Sequence, residues 1–272
     1  MGTGNNTLPD YTDPPVDETY ASIQFAPIPG FGIPHFGLFW PEIRKDFPNF
    51  QVQPPVPSTT EQLEAGFRGA LSFGIQLVSS PDVRCWFLDK TQNRLIQIQN
   101  DRFIHNWRRI KGDEPYPHYP ALREALEKEW RRFCDFLARE KLGAPQVNQC
   151  EVTYINHIEY DKGWKDYSEL SNVITAWAPP AGASFLPPPE RVNMEVHYRI
   201  RDNLGRLHVS LTPVIRARDG KEVLQLMLLA RGAPASTSVE DVFRWLDIGR
   251  EWVVRGFADF TTQAMQKMWG RK

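Results

Sequence analysis

Residues 238–270, SVEDVFRWLDIGREWVVRGFADFTTQAMQKMWG, decide the fold. Val239, Val242, Leu246, Gly249, Val253, Phe257, Phe260, Ala264 and Met268 recur three or four residues apart, the period of one helix face. Glu240, Arg244, Asp247, Glu251, Arg255 and Asp259 take the opposite face, with Glu240–Arg244 and Glu251–Arg255 at the favourable i,i+4 spacing. Ser238 with Asp241 resembles a capping box, and Gly270 is a stop signal. The pattern predicts one helix from Ser238 to Trp269, roughly 48 Å long at 1.5 Å per residue. A stripe of that length needs a long surface to cover, and the preceding segments read as strands, so a sheet is expected beneath it. Gly249 and Gly256, near the stripe, are expected to let strands approach closely. A bundle or coiled-coil helix is the alternative.

Outward from that helix, the rest of the chain sets the class. At 272 residues with 41% hydrophobic and 24% charged residues, it has the composition of a globular protein with a sizeable core. The net charge of −1 gives no global attraction to nucleic acid or to an anionic membrane. No apolar run approaches the roughly 20 residues that cross a bilayer, and the N-terminus lacks a secretory pattern. Asn6 stands where the myristoylation pattern wants Ser or Thr, and the sequon Asn5-Asn6-Thr7 comes without a secretion signal. Cys85, Cys134 and Cys150 are odd in number and widely spaced, which fits a reducing cytoplasm better than a disulfide or zinc framework.

Residues 1–18 are polar and read as a loose arm. Tyr20 to Pro27 alternates as a strand. His35 to Phe47 reads as a short helix carrying Phe36, Phe39, Ile43 and Phe47 on one face, with a break or a late start expected at Pro41. Residues 48–62 are a Pro-rich, extended connector. Three strands are predicted at Val83–Leu88, Arg94–Gln99 and Arg102–Arg109, then a helix from Pro120 to Leu142 with Leu122, Leu126, Trp130, Phe133 and Leu137 as its stripe. A strand at Val147–Tyr160, a short helix at Tyr167–Trp177 and a Pro-rich loop at 178–190 follow. Three more strands, Val192–Arg201, Leu207–Arg216 and Glu222–Arg231, lead to the final helix. Asn203-Leu204-Gly205 and Asp219-Gly220 are the turns between them.

Each half thus reads strand, short helix, three strands, long helix, although identity is confined to matches such as WRRFCDF at 130–136 against WVVRGFADF at 252–260. The fold class expected is α+β, with two tandem β-α-β-β-β-α repeats at 19–143 and 144–272, each an antiparallel sheet on a long helix, or one continuous domain. This arrangement resembles the helix-grip unit, and two side by side resemble TATA-binding-protein-like saddles. The passages NRLIQIQNDRFIHNWRR, YPHYPALREALEKEWRRFCDFL, VNQCEVTYINHI and the terminal stretch resemble a bacterial family of sporadically distributed proteins without assigned function, over residues 20–270. That resemblance supplies no substrate, cofactor or catalytic residue. The family's patchy distribution implies an antiviral-defence role.

No Walker loop, dinucleotide fingerprint, H-E-x-x-H, C-x-x-C or G-x-S-x-G is present, so no cofactor is expected and the balance leans away from an enzyme. Two groups of residues stand out. Strand phase sets His157, Glu159, Glu195, His197 and His208 on the sheet face away from the long helix. They read as a ligand face, a metal site or an acid–base pair, against the plainer reading of a solvated outer face. His105, Trp107, Arg109, Tyr116 and Tyr119 interleave aromatics with positive charge, which suits a partner as well as it suits packing. Nine tryptophans favour an interface. The function expected is a non-enzymatic interaction module docking on another protein or on a second copy of itself. A small-ligand binder or enzyme with a cavity between sheet and helix is the first alternative. A nucleic-acid binder is the second, disfavoured by the charge balance.

Overall fold

The computed structural model describes residues 7–63, 83–178 and 185–272. The readings made at Asn5 and Asn6, on the first residues of the arm and on part of the Pro-rich loop lie outside them. The fold is α+β, and among the described residues it is built on a nine-stranded antiparallel sheet in the order β2-β3-β4-β5-β1-β6-β9-β8-β7. Its strands are β1 (Val16–Phe25), β2 (Asn49–Gln53), β3 (Arg84–Leu88), β4 (Arg94–Gln99), β5 (Arg102–Arg108), β6 (Val147–Glu159), β7 (Met194–Ile200), β8 (Gly205–Ile215) and β9 (Glu222–Gly232). β1 and β6 pair at the middle, with Ala21 opposite Val152, so the sheet runs unbroken across the boundary near residue 143.

Side-chain alternation gives the sheet two different faces. One presents Ile23, Phe103, Ile96, Val152, Ala230, Leu228, Val209 and Leu207, all buried. The helices α1 (Ile33–Ile43), α2 (His118–Arg139) and α3 (Val239–Phe260) supply the rest of that core. Phe133 of α2 is fully buried, its ring 5.3–6.1 Å from those of Phe25, Phe31, Phe39, Phe103 and Trp130. α2 and α3 lie side by side with opposite sense: Tyr119 donates to Asp247 at 2.8 Å, Arg123 pairs with Asp247 at 2.8 Å, and Arg131 reaches Glu240 at 3.7 Å. Gly256 lets α3 settle on β8, since a Cβ there would stand 2.7 Å from Leu207 Cδ2.

Five expectations need correction. The terminal helix is not continuous: Thr261 is extended, and a separate short helix, α4 (Gln263–Met268), follows it. The break has a tertiary cause. Thr175 donates its amide to Phe260 and Thr262 donates to Val173, so residues 173–175 draw 260–262 out of the helix into a bridge. Pro41 does not interrupt α1, because it sits on the exposed side of the last turn, where the carbonyl it leaves unbonded can be hydrated. The arm is docked from Asp10 onward: Tyr11 is buried edge-on against Phe257 at 5.5 Å, and Thr12 and Asp13 bond the carbonyls of Gly270 and Trp269. The connector at 48–62 opens with an edge strand, β2, and the element at Tyr167–Asn172 is a 3-10 turn ending well before Trp177.

Candidate interaction surface

The opposite face of the sheet carries no helix among the described residues. Residues 54–63, PPVPSTTEQL, cross it as an extended strap. Pro54, Pro55 and Pro57 have no N–H, so this stretch cannot enter the backbone ladder. Side chains hold it instead. Gln99 of β4 accepts the Val56 N–H at 2.9 Å and returns a bond to the Val56 carbonyl at 2.9 Å. Gln24 of β1 accepts the Thr59 N–H at 3.3 Å, and Gln149 of β6 accepts the Glu61 N–H at 3.2 Å. Arg102 of β5 donates to the Pro57 carbonyl at 3.2 Å. Four neighbouring strands thus read the strap's backbone.

These groups belong to a wider polar network. Trp86 and Arg84 each donate to Gln97 at 2.8 Å, Gln97 donates to Asn106 at 2.8 Å, and Asn106 donates to Glu18 at 2.7 Å. Arg102 donates to Gln24 and lies 3.9 Å from Glu151, which Arg231 bonds at 2.6 Å. Gln24, Gln97, Gln99, Arg102, Asn106, Gln149 and Glu151 are all buried. A buried polar atom without a partner costs roughly 1–3 kcal/mol, so this hydrogen bonding is what makes their burial tolerable. Burial raises the Glu18 carboxyl above its ordinary range against the opposing Asn106 bond, and burial also raises Tyr20.

Beside the strap lies a recess of about 260 Å³ whose wall includes Glu18, Tyr20, Val56, Trp86, Asn106 and Arg108. Arg84 and Arg108 stack over the Trp86 ring at 5.5 and 5.1 Å. Such an arrangement offers an aromatic platform with positive charge beside it.

The structure separates the residues singled out from sequence. His157, Glu159, Glu195, His197 and His208 do share the open face by register, but not one location. His197 stands opposite His208 on β7 and β8. His157 lies two strands away and four residues further along, about 13 Å at strand rise. It borders a crevice of about 680 Å³ at the strand ends together with Glu159, Arg109, Tyr116 and His118.

Most charges in that crevice are paired. A β-bulge in β1 turns Asp17 toward it, 3.1 Å from His157 Nδ1 and bonded by Arg218. Burial works to raise Asp17, and the bonds from His157 and Arg218 outweigh it and hold its carboxyl low. Lys162 and Arg216 bring Glu159 down to about 2.

His105 and Trp107 face the helices and are buried. Trp107 packs edge-on against Tyr116 at 5.5 Å, and the Tyr116 and Tyr154 hydroxyls bond at 2.8 Å. Tyr119 lies in the α2–α3 seam under Arg250. These aromatics hold the core together, while Arg109 faces the crevice. Sequence reasoning missed Gln24, Gln97, Gln99, Gln149 and Glu61. Polar residues in the outward phase of predicted strands were the signal available, and their contact with a remote connector carries no sequence signature.

Between sheet and helices two cavities are small, about 50 and 20 Å³, while a third space of about 680 Å³ lies between α3 and the β7–β8 end of the sheet, bordered by Tyr198, Leu207, Trp252, Gly256 and Phe260. Ligand pockets run to roughly 300–1,000 Å³. Comparison with protein-family models, with curated proteins and with solved structures finds no match to this chain.

Proposed function

We propose that this protein is a non-enzymatic interaction module whose open sheet face holds an extended, Pro-rich segment of a partner protein. The observation that carries the reading is the strap: glutamine amides on three strands grip the backbone of a Pro-rich stretch of the chain itself. A face that binds one such segment by its backbone has the chemistry to bind another beside it. The recess at Trp86 and Tyr20 supplies the aromatic wall on which prolines pack. Arg84, Arg102, Arg206 and Arg231 of the open face are bonded to carboxylates or amides, which argues against a phosphate-binding surface.

We further read the two halves as tandem helix-grip repeats. Outward from the middle, the strands run β1, β5, β4, β3 on one side, with β2 as an additional edge strand, and β6, β9, β8, β7 on the other, and α2 and α3 follow β5 and β9 in the chain. That order supports a duplication whose first strands meet at the centre.

The test is an array of extended peptides, Pro-rich and Pro-free with matched charge, probed with the full chain and with Trp86→Ala. The expected result is retention of Pro-rich peptides at micromolar affinity, weakened at least about tenfold by loss of the aromatic wall, consistent with a hot-spot cost above roughly 1.4 kcal/mol. Retention of no peptide, or retention indifferent to Trp86→Ala, refutes the reading.

A further inference from the structure

At the far end of the open face, β7 and β8 place His197 directly opposite His208, with ring centres 4.5 Å apart and planes at 68°. Glu195, two residues before His197 on the same face, sets Oε1 2.8 Å from His197 Nε2. Across β8, Glu61 of the strap sets Oε2 2.7 Å from His208 Nε2, while Arg206 bonds its other oxygen. Glu61 is nearly enclosed, its side chain 5% exposed. Burial works to raise its carboxyl, and the bond and charge of His208, with Arg206 and Arg231 beside them, hold it low. Glu195, His197 and His208 each offer one ligand atom, and those atoms all lie within 4.8 Å of one another.

Two imidazoles and a carboxylate are the donor set of a three-ligand zinc site, which keeps a fourth position for water. Ligand atoms around a tetrahedral Zn²⁺ at about 2.0 Å stand about 3.3 Å apart. Side-chain rotation closes a 4.8 Å cluster to that spacing while the paired strands stay fixed. Glu61 adds the outer shell. A histidine that binds a metal through one nitrogen commonly gives the other N–H to a carboxylate, which fixes its tautomer and ring orientation. With His208 Nε2–H on Glu61, His208 Nδ1 is the nitrogen left for an ion. Arg206 in turn holds Glu61 in place.

We propose that Glu195, His197 and His208 form a site for a divalent transition metal of the zinc type, with Glu61 and Arg206 positioning His208. The site stands apart from the Trp86 recess and does not depend on what binds there. Because Glu61 belongs to the strap, an ion at this site ties the strap's far end to the β7–β8 edge.

Titration of the metal-free full chain with Zn²⁺, by calorimetry and by the absorption of Co²⁺ in the same site, tests the assignment. One ion per chain is expected. Glu61→Gln is expected to weaken binding roughly 10–100-fold, as loss of an outer-shell partner does, and His197→Gln or His208→Gln to weaken it further. His118→Gln and His157→Gln leave it unchanged. A second measurement needs no variant: Zn²⁺ should protect His197 and His208 of the wild-type chain from diethylpyrocarbonate, read by mass spectrometry. Absence of saturable binding, binding that survives His197→Gln with His208→Gln, or modification of both histidines at the same rate with and without Zn²⁺ overturns the proposal.

Discussion

Replacing His105 with leucine should remove most of one acid-dependent contribution to stability, and the size of that contribution follows from where the ring sits. His105 is on the helix-facing side of β5, flanked in register by Ala21 and Ile96. Trp107, Tyr119, Leu122 and Leu126 border the same small cavity. Its Nε2 has no hydrogen-bond partner among the described residues. Burial, with a smaller effect from the Arg94 charge, pushes the imidazole from its ordinary 6.5 down to about 4. The folded chain therefore keeps the ring neutral where the unfolded chain protonates it. Between pH 6.5 and 4 the unfolded state binds the extra proton, so stability falls as pH falls through that window. At about 1.36 kcal/mol per pK unit, the loss amounts to about 2 kcal/mol at pH 5 and about 3 kcal/mol below pH 4.

The assay is urea unfolding followed by tryptophan fluorescence, for wild type and His105→Leu, at pH 7.5 and at pH 5. Other acid-sensitive groups, such as Asp17 and Glu159, are common to both chains and cancel in the difference. The stability of wild type relative to the variant should drop by about 2 kcal/mol on going from pH 7.5 to 5. A difference that stays flat with pH, or that moves in wild type's favour in acid, refutes a neutral buried His105.

Three further outcomes are expected. Phe133→Ala, which removes the ring that five others surround, should cost about 3–5 kcal/mol by denaturant midpoint, while Phe50→Ala, at an edge residue 56% exposed, should stay within about 0.5 kcal/mol. Gly232→Ala should lower Tm by an amount equivalent to roughly 1–3 kcal/mol of overpacking, because a Cβ there would stand 2.0 Å from the Leu204 carbonyl oxygen and 2.8 Å from Trp245. Gln99→Ala removes two bonds to the strap, about 1 kcal/mol each, so cleavage within 54–63 by a protease of broad specificity should quicken roughly 30-fold.

What the sequence revealed, and what it hid, divides along one physical line. Strand phase depends on residues two apart, and it was readable wherever one face is apolar: Leu207, Val209 and Leu211 lie on the helix face and His208 on the other. The same rule, applied to β5, would have removed His105 from the candidate binding residues, since it shares its phase with Phe103 and Trp107. The capping of α3 was also local, with Ser238 accepting the Asp241 N–H at 3.2 Å. The break at Thr261 was not, because nothing within 238–270 announces that residues 173–175 will bond there.

The strap belongs with the break rather than with the phases. Its prolines told only that it would be extended, and the partners that fix it are 43 residues away at Gln99 and 147 away at His208. Those partners are glutamine, arginine, histidine and glutamate, side chains that a solvated outer face would carry as well. Local pattern specifies which way a polar side chain points, whereas its partner is set by the tertiary path of the chain. That is why the face could be identified from sequence while the strap on it, and Glu61 beside His208, could not. An interaction surface made of buried polar side chains will be hidden in this way whenever its covering segment lacks periodicity of its own.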